Sequence, residues 1–256
     1  MKKILGLCFV IMFSAISVFA SDVKFVQIDN LKFLPDAEAS VNGFKETINE
    51  INKEKNLDFV IFTGNNIAKS DKEFLKAFLK QAKKLNSPYY VALGHKDLNK
   101  KKGLSKAAYI KIVKRHTFKN INSPNYVFMK KGIVFIVADG AKEFIATPFG
   151  YYRESAINYV DRELNKHKKN NAVILQHFPV YPPDDSEGYR TYNAQAYMKM
   201  LETHNNVKAV VSGFGINSEN DINGIKHITT ASYPKYRIIE IIDSRNSAPT
   251  IWTSLK

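Results

Sequence analysis

Cysteine is nearly absent. Of 256 residues only Cys8 is a cysteine, and it sits inside an apolar run at the start of the chain. A disulfide framework and a thiolate metal site are therefore excluded for everything downstream. Leu7 precedes Cys8 where lipid attachment would want a small residue, so a lipid anchor is not expected there. Long Pro, Gly or Ser linkers, internal repeats and low-complexity tracts are also missing, which argues against a chain of several domains. Arginine is scarce, and lysine carries most of the net charge of +14.

What is present begins with Lys2 and Lys3, an uncharged apolar stretch over residues 4–19, and the exit Val18-Phe19-Ala20 before Ser21-Asp22. That order reads as a signal peptide over 1–20. An uncleaved anchor is the alternative, although the run falls short of the roughly 20 apolar residues of a spanning helix. The expectation is a secreted or periplasmic protein with no membrane attachment after cleavage, its one domain occupying 21–256. The positive charge favours anionic ligands or surfaces, unless the lysines simply solvate helix faces. The basic runs 100–102 and 166–169 lack interleaved aromatic residues, so no specific nucleic acid is expected.

Buried-type strands are predicted near 23–28, 58–63, 89–93, 133–138, 172–176 and 207–212. Helical patterns fall near 41–55, 71–86, 105–116, 154–168 and 193–204, with Ser70 or Asp71 as a cap candidate. Further strands near 125–130, 226–230, 235–242 and 249–253 can pair antiparallel. The alternation gives an α/β fold, and in open α/β sheets the ligand crevice lies beyond the carboxyl ends of the strands.

Five hydrophobic runs end in loops of recognisable wording: FVQIDNLK (25–32), DFVIFTGNN (58–66), YYVALGHKD (89–97), AVILQHFP (172–179) and VKAVVSGFGI (207–216). In order and wording the chain resembles the calcineurin-like metallophosphoesterase superfamily, which includes proteins of the purple acid phosphatase and phosphodiesterase kinds. The resemblance implies a four-layer α/β/β/α sandwich. It also implies a two-metal site built from Asp-x-His, Gly-Asp, Gly-Asn-His followed by Asp or Glu, a lone His, and Gly-His-x-His.

Laid over those motifs, the ligand positions fall on Asn30, Lys32, Asn65, His95, His177, Phe214 and Ile216, with Lys96 at the catalytic histidine's place. Asp29 is one residue from the first position, but starting the motif there puts Leu31 where histidine belongs. Two nearby dications need carboxylates and neutral imidazoles for neutralisation, and only His177 keeps its ligand identity. A unit charge pair about 4 Å apart is worth about 4 kcal/mol at an effective dielectric near 20, and a dication beside an ammonium costs roughly twice that. Deprotonating lysine costs about 4 to 5 kcal/mol at neutral pH instead. No metal cofactor is therefore expected, and two divalent metals enter only if the centre survives.

Three readings follow. In the first, Lys32 and Lys96 replace the missing metal charge and, with Asn65 and His177, bind a phosphate-like anion without hydrolysis. In the second, a residual phosphoesterase uses His177, His95 or Asp97 for acid–base work. In the third, an unknown protein partner docks on tyrosine-rich text at Tyr151-Tyr152-Arg153 and over 181–192. His116, His167, His204 and His227 read as ordinary surface or half-buried histidines.

Overall fold

A computed structural model describes residues 21–117, 121–144, 147–182, 191–243 and 248–256. The segment read as a signal peptide lies outside the described residues, as do 183–190 of the tyrosine-rich loop. Among the described residues no helix is long and apolar enough to cross a membrane.

The first half alternates β1 (Ser21–Ile28), α1 (Glu38–Ile51), β2 (Phe59–Phe62), α2 (Lys72–Ala82), β3 (Tyr89–Val91) and α3 (Lys106–Thr117). After β4 (Tyr126–Lys130) and β5 (Ile133–Ala138) come α4 (Glu154–Lys166), β6 (Ala172–Gln176), α5 (Ala194–Glu202) and β7 (Val207–Gly215). The chain closes with β8 (Ser218–Ile222), β9 (Ile225–Ala231), β10 (Tyr236–Asp243) and β11 (Thr250–Leu255). One sheet has the order β11-β10-β1-β2-β3, the other β4-β5-β6-β7-β9-β8. The pairs β1/β2, β2/β3, β5/β6 and β6/β7 are parallel. The loops after β1, β2, β3, β6 and β7 therefore leave the same end of the molecule, as the α/β reading requires.

Strands β2, β5 and β6 are buried along their whole length. Strands covered on both faces read as continuous apolar runs, because neither side meets water. Between the sheets Phe25 and Phe59 meet Phe135 edge-on at 5.6 and 4.9 Å, and Tyr90 stacks on Phe128 at 3.7 Å. Outside the first sheet Phe44 of α1 and Phe78 of α2 pack on Phe62 of β2. Helices α4 and α5 cover the second sheet, joined by Tyr152 and Tyr197 at 4.5 Å. The result is the four-layer α/β/β/α sandwich.

Helix α2 shows how local chemistry sets a boundary. The Asp71 carboxylate accepts the main-chain N–H groups of Glu73 and Phe74 at 2.7 and 3.1 Å, satisfying donors the first turn leaves open. The helix then buries Leu75, Phe78, Leu79 and Ala82, the spacing of one helical face. Strand β8 was not expected from sequence: Ser-Glu-Asn-Asp-Ile offers no apolar alternation. Arg237 helps hold it. Its buried guanidinium donates to Glu219 of β8, to Thr253 of β11 and, through Nε, to Thr230 of β9 at 3.1 Å. One cation thus ties the far edges of both sheets together.

Phe78 contacts Phe33, Phe44 and Phe62 and is fully buried. Phe78→Ala should cost about 3–5 kcal/mol of unfolding free energy, measured by urea denaturation followed by circular dichroism.

Candidate functional site

The floor of the crevice is a carboxylate. Along β1 successive side chains alternate faces, so Gln27 and Asp29 point the same way, into the space between the sheets. Gln27 Nε2 donates to Thr63 Oγ1 at 3.1 Å and to the Ser212 carbonyl at 2.7 Å. Asp29, fully buried, accepts from Thr63 Oγ1 at 3.1 Å and from the Phe214 N–H at 2.7 Å. Its Oδ1 also lies 3.5 Å from His177 Nδ1. The motif therefore begins at Asp29 and not at Asn30. This corrects the sequence expectation that both family carboxylates had become amides: one remains, with Leu31, not Lys32, two residues on and buried. The signal was Gln27, a polar residue in an apolar strand two positions earlier.

Asn30 and Asn65 bind each other. Both have left-handed backbones, with φ of 51° and 50°, a conformation asparagine tolerates better than most residues. Asn65 Nδ2 donates to Asn30 Oδ1 at 2.7 Å, and Asn65 Oδ1 accepts the Lys96 N–H at 2.8 Å. Asn30 Nδ2 donates to Ser232 at 3.1 Å. The amide of Asn65, expected to face an anion, thus serves mainly to fasten three loops. Gly94 permits this: a Cβ there would lie 2.2 Å from the Asn65 nitrogen.

Asp97 fastens the third loop. Its carboxylate accepts main-chain N–H groups of Asn66, Gly94 and Ile67 at 2.7, 2.9 and 3.1 Å, and Asn66 Nδ2 at 3.3 Å. Asn66 in turn donates to the buried Tyr109 hydroxyl of α3 at 3.0 Å. Burial pushes the Asp97 carboxyl up to about 6, opposed by its N–H donors. Its hydrogen bonds go to main-chain and amide donors, so orienting an imidazole is not what its geometry shows. Asn66 and Tyr109 were not singled out from sequence.

His177 lies at the end of β6 and is 1% exposed. Its Nδ1 is 2.7 Å from the Thr63 carbonyl, an acceptor, so Nδ1 carries a hydrogen. That Nε2 is buried with no hydrogen-bond partner. Phe214 packs edge-on to both imidazoles, its ring centroid 5.3 Å from His177 and 5.6 Å from His95. Phe178 completes the group, 4.7 Å from His177. Phe214 occupies an irregular stretch of β7 at φ 82°, a costly conformation for a bulky residue. Gly213 beside it leaves room for the carboxylate, since a Cβ there would meet Asp29 Oδ1 at 1.9 Å. Ile216 follows just beyond the strand, half-buried.

His95 stands at the crevice mouth, 5.7 Å from the His177 ring. Burial, the His177 imidazole, and the ammonium groups of Lys96 and Lys32, in that order, lower its pKa to about 3. Lys32 and Lys96 are both exposed and both act on this one ring. The other histidines have local partners: His204 meets Asp161 at 2.8 Å, His167 meets Glu163, and His227 packs on Tyr181.

The donor chemistry can be set against the two-metal centre of the superfamily. Among the described residues no group of three or more His, Cys, Asp or Glu side chains is arranged to hold a metal ion. Asp29, His177 and, at the mouth, His95 are the strong donors present, Asn30 and Asn65 are engaged with each other, and the Phe214 ring packs between the two imidazoles where the family has a further histidine. Such a set does not fit two dications, which need several anionic or imidazole donors each.

The sequence profile of the calcineurin-like phosphoesterase family matches residues 18–213, and the chain belongs to that family. Its structure is similar to that of a dimetal phosphatase from Danio rerio, at 13% identity, TM-score 0.68, covering 91% of this chain and 99% of that one. It is also similar to a putative 5'-nucleotidase from Staphylococcus aureus, at 11% identity, TM-score 0.61, covering 92% and 54%. A third similar structure is the anchor protein of the inner membrane complex of Plasmodium, at 15% identity, TM-score 0.59, covering 91% and 88%. At these identities the likeness concerns the fold. Among curated proteins none matches the chain.

The depressed pKa of His95 has a pH consequence. Below about 6.5 the unfolded imidazole takes a proton, while the folded one stays neutral until about 3. The unfolded state then binds more protons, so stability falls as pH drops through this window. The raised Asp97 carboxyl works the other way, adding stability as pH falls from about 6 toward 3.8. Comparison with His95→Asn cancels the Asp97 contribution. The variant should lose less stability than wild type between pH 7 and pH 5, by on the order of 1 kcal/mol, read from urea denaturation at each pH.

Proposed function

We propose that this chain is an exported, non-hydrolytic member of its family whose crevice binds a phosphate-like anion. The observation that carries the reading is that the loops bearing two exposed lysines, Lys32 and Lys96, are fastened by their main-chain N–H groups to one residue, Asn65. An ammonium holds a phosphate as a point charge, and no metal is required for that. The Asn30–Asn65 amide pair fixes the loops that carry the two lysines, because the Lys32 N–H donates to the Asn65 carbonyl at 2.8 Å and the Lys96 N–H to the Asn65 side chain. His177 and Asn65 then act behind the anion, as supports. The apolar run over 4–19 supports export.

Isothermal titration calorimetry with inorganic phosphate and with a nucleoside monophosphate tests this reading. Wild type should give saturable heat, and Lys32→Ala/Lys96→Ala should bind at least about tenfold more weakly, the loss of two charge-assisted contacts. Heat in neither protein, or equal heat in both, removes the anion reading.

A second reading has one observation behind it: the buried Nε2 of His177, without a hydrogen-bond partner on a residue that keeps the family ligand's identity. It favours a residual phosphoesterase that holds a metal after Phe214 swings away. Elemental analysis of protein from cells supplied with manganese, iron and zinc decides between the two. The non-hydrolytic reading expects far less than one metal per chain and no p-nitrophenyl phosphate turnover with any of the three. Near-stoichiometric metal would establish the second reading in its place.

A further inference from the structure

The net charge is not spread over the surface. Residues 71–117 hold thirteen lysines and arginines against three carboxylates, while all the rest of the chain holds twenty-five against twenty-one. This segment is α2, β3, α3 and the loops that join them. Two of its three carboxylates are committed, since Asp71 caps α2 and Asp97 closes the crevice loop. The third, Glu73, pairs with Lys76 at 2.9 Å. A general lysine surplus would load every solvated helix alike. It does not: on α1, exposed Glu38, Glu46 and Glu50 outnumber the one lysine, Lys45.

Helices α2 and α3 pack side by side. Lys72, Lys76 and Lys80 recur every fourth residue, a row about 12 Å long on one face of α2. Lys111, Lys114 and Arg115 are exposed on α3. A cavity of about 530 Å³ between the two is lined by Phe74, Lys76, Lys80, Lys83 and His116, among others. Another of about 540 Å³ on the other flank of α3 includes Lys111 and Lys114 together with Lys100 and Lys106, which pair with Glu143 and Asp139. The local potential is felt by His116, whose pKa is lowered by burial and by Lys83 and Lys76.

We propose that the α2–α3 face adsorbs the protein to an anionic lipid bilayer surface, separately from the crevice. Charge complementarity names the partner's sign, and the makeup of the face narrows its kind. Among the described residues the large exposed apolar side chains Met129, Tyr151, Tyr192 and Trp252 lie elsewhere, and Phe144 borders only the Lys100 end, its ring centroid 4.6 Å from that ammonium, so the lysine row of α2 has no exposed aromatic residue to insert or to stack on bases. Lysines dominate, and their point charges suit a diffuse negative surface better than the bidentate recognition for which arginine is used. Juxtaposed basic residues add their attractions to an anionic leaflet nearly independently, within a Debye length of the surface. Contact is therefore peripheral and reversible.

The test is co-sedimentation of the full chain with vesicles of phosphatidylcholine alone or mixed with phosphatidylglycerol. The readout is the excess on anionic vesicles compared between wild type and the variants below, all of which carry the same residues 1–20. The excess on anionic vesicles should vanish at about 1 M salt, where the Debye length is about 3 Å. Lys72→Glu/Lys80→Glu/Lys84→Glu should lower it by more than about 100-fold. Lys166→Glu/Lys168→Glu/Lys169→Glu, the same change in net charge made at the end of α4, should leave most of it. Equal loss in both variants, no excess on anionic vesicles, or retention on heparin or RNA without lipid binding would each overturn the proposal. Phosphate calorimetry on the α2 variant should match wild type, which keeps this outcome apart from that of the crevice.

Discussion

The Asp29 carboxylate is the constraint on which the crevice depends. It is fully buried, and it joins the ends of three strands by accepting from Thr63 after β2 and from the Phe214 N–H in β7 while lying beside His177 after β6. In an interior of low dielectric a buried charge survives only with such partners. The contacts extend from it: Gln27 reaches Thr63, Ser212 and Thr230, and Thr230 meets the Arg237 guanidinium that ties the sheet edges. A buried polar chain thus crosses the sandwich from the crevice floor to the opposite edge strands. Removing Asp29 would release Phe214 from a backbone conformation it does not prefer.

Most of the fold was legible in the sequence, because the strands central to each sheet are continuous apolar runs and α2 displays a cap and an apolar face. Strand β8 was not legible. Its polar residues pair with β9 through main-chain bonds and through Glu219 on Arg237, a partner nearly twenty residues away that no local pattern reveals. The family was legible from loop wording. The register of its first motif was not: Asn30 and Asp29 are adjacent, and only the shared face of Gln27 and Asp29 decides between them. The reverse error touched Asn65, whose type suggests a donor to a ligand but whose amide is engaged by Asn30 and the Lys96 main chain. Lone residue types suggest chemistry; partners determine whether an atom is available for it.

Charge tells a similar story at a larger scale. Read as a total, +14 is compatible with a simple excess of lysine. Placed on the structure, the excess belongs to one layer of helices and leaves the remainder nearly balanced. The crevice and this layer are joined by the loop that contains Lys96, which leads into α3.

The tight glycines carry a last implication. Gly64, Gly94 and Gly213 stand where the superfamily has its motif glycines, and side chains there would strike His177, Asn65 and Asp29 respectively. What obliges them to stay small is the packing of this crevice itself, whatever it binds. Their persistence is therefore no relic of hydrolysis and no marker for it. A survey of related genomes that scored chains by these small residues would therefore be scoring packing rather than chemistry.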